Sequence, residues 1–342
     1  MGFRKNILII SESIPDGFTF MVGTAFLEEL KPLSKLHRLT IIAPFVLPLP
    51  RSRANVKAIM GTLKIREKGV IDNAVFYRPW FFGLPFILGG LNDLLRLLVI
   101  LICIKVNKIQ FDVIHAYYGH PPGFVAVLLG KIAKKPVIIS CLGSDIHEYA
   151  QKDYPNKLRR NRVLYAVKNA DYLIAVCEFL KTKIVSLGIS DTKVEVIPCG
   201  VDQEFFHPRD KALARKKIEL PQDKKIILNV GAFTPVKGTI FLIDAFANVL
   251  KQRNDLLLVI IGHGPERLRL ERRARDLNIH ENIRFIGFVP KEEIGIWFNA
   301  ADILVLPSLL EGFCMVVVEA LASGIPVVAS RIGGIPEKID ED

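Results

Sequence analysis

Short apolar runs alternate with helical patterns along almost the whole chain of 342 residues. A strand followed by a helix and then another strand belongs to a parallel sheet with right-handed crossovers. Eleven strands would be unusually many for a single sheet, so the pattern predicts an α/β protein with two doubly wound domains. We predict these strands at residues 6–10, 38–43, 111–115, 136–140, 172–176, 193–197, 225–231, 256–261, 283–287, 302–306 and 325–329.

The segment Ile197–Pro208 marks the predicted domain boundary, because it contains two prolines and a glycine and has no periodicity. We therefore place one domain at 1–200 and the other at 201–342. The charge balance changes at the same place. Residues 1–208 contain 27 Lys+Arg and 17 Asp+Glu, whereas residues 209–342 contain 19 and 18.

The basic first half predicts an anionic partner, either a membrane surface or an acidic acceptor. Nucleic acid ranks last, since no RNA- or DNA-binding motif interleaves aromatic residues with the basic ones. The alternative is a merely basic, solvated surface. The apolar region Phe81–Val106 is interrupted by polar residues and predicts a buried or membrane-contacting helix rather than a spanning one. A basic cluster that would favour an anionic membrane comprises Lys152, Lys157, Arg159, Arg160 and Arg162.

Five cysteines are scattered without a C-x-x-C motif, and no secretion signal precedes the first predicted strand. These features predict a reducing, cytoplasmic location. No His/Cys/Asp set has the spacing of a metal cage, and no nucleophile elbow is present. We therefore predict neither a metal ion nor a cofactor.

Two carboxylates, Glu311 and Glu319, lie eight residues apart around a predicted helix start. Glu311 follows the turn at Pro307–Ser308, and Glu319 is predicted about two turns into a helix that ends at Ser323–Gly324. A separation of roughly 10–12 Å along the axis is too large for an acid/base pair on one bond. It suits the two ends of a long polar ligand, such as a diphosphate flanked by two sugars, because a helix N-terminus binds anions. A polar helix start with one solvated glutamate is the alternative.

Glycine-marked loops follow three successive predicted strands, at Gly231, Gly262 and Gly287. In the first loop, Gly231 lets the backbone approach a phosphate and Lys237 supplies a positive charge at a helix entrance. In open α/β sheets, ligands bind beyond the carboxyl ends of the strands, so these loops predict a cleft. An ordinary turn with a solvated lysine remains the competing interpretation, and the spacing excludes a Walker A loop.

The loop Gly143-Ser144-Asp145 follows a strand of the first domain and would place a hydroxyl and a carboxylate towards the same cleft. Alternatively, Ser144 or Asp145 caps the next helix. The three histidines near strand ends are more often structural than catalytic in such positions; they are His115, His120 and His147.

Taken together, these elements resemble the retaining glycosyltransferases of family 4, also called group 1, whose GT-B fold has two Rossmann-like domains. A finer similarity to bacterial and archaeal cell-surface polysaccharide enzymes comes from Pro121–Gly123 and the Gly-Ser-Asp loop. The motifs that stand in family order are Asp112–Ala116, Gly143–Asp145, Ile197–Pro198, Gly200–Asp202, Lys237–Gly238, Gly262–Pro265, Phe285–Gly287, Pro307–Ser308, Glu311–Ala320 and Gly333–Glu337.

The resemblance implies a metal-independent, retaining transfer of a hexose-type sugar from a nucleotide sugar to a glycan or lipid-linked acceptor. Lys237 would neutralise the diphosphate, Glu311 would contact the donor sugar near the reacting carbon, and Glu319 would hold the ribose. The first domain would bind the acceptor, with Gly143, Ser144 and Asp145 on the acceptor side. The other donor-binding positions would be Gly231, Gly262, Gly264, Phe288, Val289, Gly312, Phe313 and Cys314.

Three residues depart from the family pattern: Ala232 replaces an arginine, Leu142 a histidine and Cys314 a glycine. The family usually continues beyond the position of Asp342, so the resemblance suggests an incomplete second domain and a less stable chain. These departures keep open a non-catalytic nucleotide-sugar-binding or partner subunit. A third alternative is another GT-B enzyme such as a sugar-nucleotide epimerase, whose expected carboxylate and histidine set is not evident.

Overall fold

The computed structural model describes residues 4–12, 24–47, 68–71, 73–84 and 90–339. Within it the chain forms two compact units, Met1–Cys199 and Gly200–Asp342. The first unit is built around a mainly parallel sheet and the second around a wholly parallel one, with helices between most of the strands, which confirms the predicted α/β class with two doubly wound domains.

The first unit contains strands β1 to β10. Helices lie at Thr24–Leu36, Asn92–Val106, Phe124–Ala133, Ser144–His147, Lys157–Asn169 and Glu178–Ser186, with short helical turns at Gly119–Gly123 and Asp191–Lys193. The strands, in chain order from β1 to β10, are Asn6–Ile10, Arg38–Ile42, Phe45–Leu47, Lys68–Ile71, Ala74–Tyr77, Trp80–Phe82, Val113–Tyr117, Val137–Cys141, Tyr172–Ala175 and Val194–Val196.

Eight of these strands form one sheet in the order β10-β9-β8-β7-β1-β2-β5-β4, while β3 and β6 pair separately. The apolar strand β1 lies between β2 and β7, and Ile9 and Ile10 are fully buried there. The chain first adds β2 on one side of β1 and later adds β7 on the other side. The topological switch point of this sheet therefore lies between β1 and β7.

The second unit contains five parallel strands in the order β13-β12-β11-β14-β15. They are β11 Lys225–Val230, β12 Leu256–Ile261, β13 Ile283–Ile286, β14 Ile303–Leu306 and β15 Val327–Ala329. Helices occur at Lys211–Lys217, Thr239–Leu250, Arg267–Asp276, Lys291–Ala300 and Met315–Ala322, and short 3₁₀ turns at Pro235–Lys237, His280–Asn282 and Ile335–Glu337.

Strand β12 shows why this sheet is stable: all six of its residues are apolar and buried. Alternate residues face opposite sides of a strand. Accordingly Leu257 and Val259 belong to one apolar core, and Leu258 and Ile260 belong to the core on the other face. The chain moves outward from β11 to β13 and then returns to add β14 beside β11. The switch point of the second sheet therefore lies between β11 and β14.

All eleven predicted segments overlap a strand, but four strands between residues 45 and 82 were not predicted. They are only three or four residues long, so their apolar pattern is too short to read. The prediction of purely parallel sheets is also wrong at one edge, where β4 pairs antiparallel with β5. The two strands are joined by a tight turn in which Asn73 adopts φ 68°, a conformation that asparagine tolerates.

The predicted single helix over Phe81–Val106 needs correction. Strand β6 ends at Phe82, and the helix begins only at Asn92. Between them, residues 85–89 lie outside the described part of the chain. The helix buries one side, including Leu97 and Ile100, against the first unit.

Candidate functional site

The most informative contact in the second unit joins two loops that follow neighbouring strands. Lys237 Nζ donates a hydrogen bond to Glu311 Oε1 at 2.7 Å, and Ser308 Oγ donates to the same oxygen at 2.8 Å. Lys237 follows β11 and Glu311 follows β14, so this ion pair bridges the switch point of the sheet. The Lys237 side chain is 31% exposed and that of Glu311 only 8%, so the ammonium group is the more accessible partner.

Close backbone packing holds these two loops together. Gly238 adopts a left-handed φ of 63°, and a Cβ atom there would lie 2.1 Å from the Pro307 carbonyl oxygen. Leu309 N–H also donates to the Val236 carbonyl oxygen at 2.7 Å. Only glycine combines this conformation with so close an approach. The Lys237–Glu311 distance is therefore set by the backbone as well as by the two charges.

A third segment supports Glu311 from the far side. A Cβ atom on Gly333, whose φ is 57°, would lie 2.2 Å from the Glu311 carbonyl oxygen. Gly334 N–H donates to the Gly312 carbonyl oxygen at 2.8 Å. The Gly333-Gly334 pair that stands in family order therefore fixes the backbone beneath Glu311 and Gly312.

The glycine loops after β11 and β12 also pack against each other. A Cβ atom on Gly262 would lie 1.9 Å from the Gly231 carbonyl oxygen, and one on Gly264 would lie 2.5 Å from that of Phe233. Gly262 and Gly264 are thus required for loop packing, whatever ligand the backbone approaches. At Gly231 a Cβ atom would have space, since its nearest neighbours are Lys237 side-chain atoms at 4.0 Å.

The helix Met315–Ala322 starts beside Glu311, and Glu319 is its fifth residue. The prediction that Glu319 lies about two turns inside the helix is therefore wrong; it lies just over one turn from the start. Cys314 precedes the helix with a left-handed φ of 63°, a conformation that costs energy for a residue with a Cβ atom. Burial raises the pKa of the Cys314 thiol to about 12, so it is uncharged at neutral pH.

Glu319 is an unusual carboxyl group because its titration falls in the physiological range. Burial raises its pKa from 4.5 to about 7, although nearby Lys291 opposes the shift. Burial likewise lowers the pKa of Lys291, while Glu319 and Glu292 oppose that change. Glu319 therefore exists in both protonation states near pH 7, and a ligand that hydrogen-bonds its carboxylate would favour the charged form.

The remaining predicted donor residues occupy varied environments. Phe288 is exposed and its ring lies 6.4 Å from that of His263, which follows β12. Val289 is partly buried and packs against the apolar core of the second unit. Phe313 is buried, and Lys338 Nζ lies 3.8 Å from its ring centroid. Their roles in binding a donor remain predictions.

Buried hydrogen bonds hold the Gly143–Asp145 loop of the first unit in place. Asp145 is fully buried and accepts hydrogen bonds from Gly119 N–H and Gly143 N–H, both at 3.0 Å. Burial raises its pKa to about 6 despite these bonds. The carboxylate thus ties the loop after β8 to the loop after β7, and Ser144 hydrogen-bonds Tyr118 between the same two loops. An acceptor-side role for this loop stays a prediction.

His115 is buried in β7, where its Nε2 lies 2.8 Å from Ser140 Oγ, and burial lowers its pKa to about 4. His120 instead contacts Asp93 in a cluster that the sequence did not suggest. The sequence also did not suggest a role for Ser308 or for Lys291. Ser308 lies three residues before Glu311 on the same loop, a spacing that could have suggested a contact.

Both parts of the chain are similar to known protein families. Residues 22–205, more than half of the chain, match the family model described as "Glycosyltransferase Family 4". Residues 210–342 match the model described as "Glycosyl transferases group 1". The chain belongs to glycosyltransferase family 4.

Two curated relatives of this family 4 chain illustrate the range of similarity. It is 37% identical over 179 residues to D-inositol 3-phosphate glycosyltransferase 2 of Catenulispora acidiphila, a match that covers 49% of this chain and 42% of the relative. It is 26% identical over 310 residues to the putative teichuronic acid biosynthesis glycosyltransferase TuaC of Bacillus subtilis, covering 89% and 76%. The matched region thus spans less than half of the first relative and about three quarters of the second.

Solved structures support the GT-B fold of this family 4 chain. Sucrose-phosphate synthase of Thermosynechococcus elongatus has a TM-score of 0.75 at 20% identity, covering 98% of this chain and 84% of the other. Anabaena HepE in complex with UDP and glucose has a TM-score of 0.72 at 20% identity, covering 99% and 84%.

The described part of this family 4 member has neither a metal-binding cluster nor a membrane-spanning helix. Nowhere in it do three His, Cys, Asp or Glu side chains converge as a metal site would require. None of the helices described is both long and apolar enough to cross a membrane. The five cysteines are all buried, and no disulfide bond joins any of them within the described residues.

Proposed function

We propose that this protein is a retaining glycosyltransferase. It moves a hexose-type sugar from a nucleotide-diphosphate sugar to a hydroxyl group of a glycan or lipid-linked acceptor. The observation that carries the proposal is the Lys237–Glu311 pair with Ser308, held by glycine packing at the switch point of the second sheet. Ligands of open α/β sheets bind at such points.

Lys237 supplies the positive charge for the donor diphosphate. An ammonium group has three N–H donors, and Glu311 occupies one of them. Lys237 can therefore bind a phosphate oxygen while it remains paired with Glu311. The accessible part of its side chain is consistent with this double role. The first backbone N–H groups of helix Met315–Ala322 add a partial positive charge beside the same loop.

Glu311 and Glu319 then serve different ends of the donor. Glu311 is nearly buried and fixed by two donors, so it positions the hydroxyls of the transferred sugar near the reacting carbon. Glu319, one turn into the helix, accepts hydrogen bonds from the ribose hydroxyls. Exposed Phe288, in the loop after β13, provides an apolar surface for the base.

Transfer with retention proceeds by attack on the same face that the diphosphate leaves. The bond between the anomeric carbon and the diphosphate oxygen breaks, and the acceptor oxygen bonds to that carbon. The acceptor proton passes to the departing diphosphate. In this scheme the protein contributes positioning and stabilisation of the leaving charge. The charge is stabilised by Lys237 and the helix N-terminus, so the proposal includes no metal ion.

The first unit is the proposed acceptor side, at the cytoplasmic face of a membrane. Support comes from an exposed apolar stripe on and before helix Asn92–Val106: Leu91, Leu94, Leu98, Ile102 and Val106. Leu158, on the basic helix Lys157–Asn169, lies near the start of that stripe beside Gly90. The name of TuaC, which refers to teichuronic acid, is consistent with a cell-surface glycan product.

The predicted basic cluster needs correction at two positions. Arg162 does not belong to the surface, because it turns inward and pairs with Asp93. Arg159 is also partly buried, with its guanidinium 3.9 Å from the Tyr149 ring centroid. Lys152 and Lys157 remain exposed and available to anionic lipid.

A second candidate, a non-catalytic nucleotide-sugar binder, is favoured by Ala232 and Leu142. Both replace charged or titratable residues that the resemblance leads us to expect, so part of the positive clamp on the diphosphate is missing. Thermal shift with UDP-, GDP- and ADP-sugars tests binding, because a ligand that binds only the folded protein raises its Tm. Release of nucleoside diphosphate then separates transferase from binder. No shift with any of the three would contradict both candidates, and product analysis would reveal an epimerase.

A further inference from the structure

A buried cluster of charged side chains lies in the first unit, apart from the Lys237–Glu311 site. Asp93 Oδ1 accepts a hydrogen bond from Arg96 Nη1 at 3.2 Å, and Asp93 Oδ2 lies 3.0 Å from His120 Nε2. Arg162 Nη1 contacts the same Asp93 oxygen as His120. Arg96 Nη2 also reaches Glu12 Oε1 at 3.4 Å. Two guanidinium groups and an imidazole thus surround a single buried carboxylate.

The cluster has more hydrogen-bond donors than acceptors. The Arg96 side chain is only 9% exposed, and its Nε–H donor has no hydrogen-bond partner among the described residues. A guanidinium has five N–H donors, and burying unsatisfied charged donors is costly. Arg96 and Arg162 carry two positive charges, of which Asp93 compensates one within the buried region.

Glu12 compensates the second positive charge only weakly. Its side chain is 47% exposed, and its contact with Arg96 at 3.4 Å is longer than a charge-assisted hydrogen bond of about 2.7–2.9 Å. Ring contacts orient both arginines independently of Glu12. Arg96 lies 5.9 Å from the Phe81 ring centroid, and Arg162 lies 5.3 Å from that of Phe124. A stronger oxyanion could therefore replace Glu12 without rearranging the guanidinium groups.

The position of the cluster is that of a ligand site. Glu12 follows β1, whose last residue is Ile10, and His120 follows β7, whose last residue is Tyr117. These two strands flank the switch point of the eight-stranded sheet. The cluster thus stands to the first sheet as Lys237 and Glu311 stand to the second.

We propose that Arg96 and Arg162, with His120 held beside them on Asp93, form an oxyanion subsite that binds a phosphate or carboxylate group carried by the acceptor. Glu12 occupies this subsite when the acceptor is absent. The inference rests on the proposed function, in which the first unit binds the acceptor, and it narrows the acceptor to an anionic molecule.

Calorimetric titration of the full chain with inorganic phosphate, and separately with succinate, tests this subsite without any nucleotide sugar. We expect Arg162→Gln to weaken binding of the preferred anion at least about tenfold, Arg162→Lys to weaken it less, and Glu12→Gln to strengthen it. Lys168→Gln, on the exposed side of the same helix, is the matched control and should change nothing. Circular dichroism and thermal melting confirm that each variant is folded.

Phosphate could also bind beside Lys237, so Lys237→Ala is titrated in parallel. Binding that survives Lys237→Ala and is lost in Arg162→Gln belongs to the first unit. Binding of neither anion, or binding that ignores both Arg162→Gln and Glu12→Gln, would overturn the subsite. This outcome is independent of donor turnover, so failure of the subsite and failure of the proposed transferase can be told apart.

Discussion

Lys237 and Glu311 lie 74 residues apart in sequence and are joined by a 2.7 Å ion pair across the switch point of the second sheet. Each residue was predicted to bind the donor from its own sequence motif, and the fold brings the two side chains together. Because Glu311 is nearly buried, its negative charge depends on Lys237 and Ser308 for compensation. Substitution of either charged partner should therefore change both the affinity for the ligand and the conformation of the loop.

Lys237→Ala should weaken binding of a nucleoside diphosphate by roughly 1.5–3 kcal/mol, since a charge-assisted contact is lost. UDP, GDP and ADP are each titrated, because the proposal leaves the base open. Isothermal titration calorimetry measures the change. Lys216→Ala, an exposed lysine of the same unit, should leave affinity unaltered. Equal affinity of wild type and Lys237→Ala would remove Lys237 from the diphosphate site.

Glu311→Gln and Glu319→Gln should separate turnover from nucleotide capture. In the proposed arrangement Glu311 contacts the sugar end of the donor, so its substitution should lower kcat more than it raises the donor KM. Glu319 is the residue proposed to hold the ribose, so its substitution should chiefly raise KM. Steady-state rates over a range of donor concentrations give both constants. If Glu311→Gln raises only KM, then Glu311 is a binding residue.

Gly238→Ala should impair nucleotide binding through the backbone alone. Its Cβ atom would lie 2.1 Å from the Pro307 carbonyl oxygen and push the Lys237 loop away from Glu311. Gly188→Ala is the matched control, because Gly188 has a φ of 86° but nothing within 4 Å of its Cβ position. We expect the control to lose about 1 kcal/mol of stability and to keep its affinity for nucleotide. Gly238→Ala should lose more stability and most of that affinity; equal behaviour of the two variants in urea unfolding and calorimetry would contradict the packing argument.

The raised pKa of Glu319 predicts a pH dependence with a defined sign. Its folded-state pKa of about 7 exceeds the ordinary 4.5, so the folded protein binds the extra proton between these values. The contribution of Glu319 to stability is then full below pH 4.5 and is lost as the pH rises through 7. Glu319→Gln stays neutral, so the unfolding free energy of the wild type should fall relative to that of the variant as the pH rises from about 4.5 to 7, and the difference should then level off.

Ribose binding should follow the opposite trend, because the carboxylate is the better acceptor. Affinity for UDP should rise from pH 6 to 8 more steeply in the wild type than in Glu319→Gln. Ionisation of UDP itself affects both proteins equally, so the difference between them reports Glu319. Identical pH profiles for the two proteins, in both unfolding and binding, would show that the carboxyl group has its ordinary pKa.

Membrane association should depend on the exposed apolar stripe and on salt. The double substitution of Leu94 and Leu98 by Ser should reduce co-sedimentation with anionic liposomes, and added salt should reduce that of the wild type. Each basic residue near the surface contributes on the order of 1 kcal/mol at low ionic strength. Leu268→Ser, at an exposed apolar position of the second unit, is the control. Sedimentation that is indifferent to lipid charge and to salt would exclude this surface.

The fold was largely predictable because buried parallel strands leave long apolar runs. Strand β12, with the sequence Leu-Leu-Leu-Val-Ile-Ile, is an example. Strands β3 to β6 escaped prediction because three or four residues cannot establish a period, and because the antiparallel β4–β5 pair depends on a turn at Asn73. The sequence of so short a segment reveals neither the strand period nor the direction in which the strands pair.

The candidate site was predictable where a loop motif carries its own chemistry, as at Lys237 and Glu311. The packing roles of Gly262 and Gly333 could not be predicted, because each of these glycines is required by contacts with a segment distant in sequence. The Asp93 cluster was missed for a related reason. Its members come from two helices and two strand ends, and no sequence spacing links Asp93 with Arg162.

The most direct test of the central claim is the rate at which the full chain releases nucleoside diphosphate from a nucleotide sugar in the presence of acceptor. The measurement uses UDP-, GDP- and ADP-sugars in turn, with mixed glycan and lipid-linked acceptors, and compares wild type with Glu311→Gln and Lys237→Ala. The account predicts acceptor-stimulated release by the wild type with one of the donors, greatly reduced in both variants. Tight binding of a nucleotide sugar without any such release, or release that both variants retain in full, would contradict it.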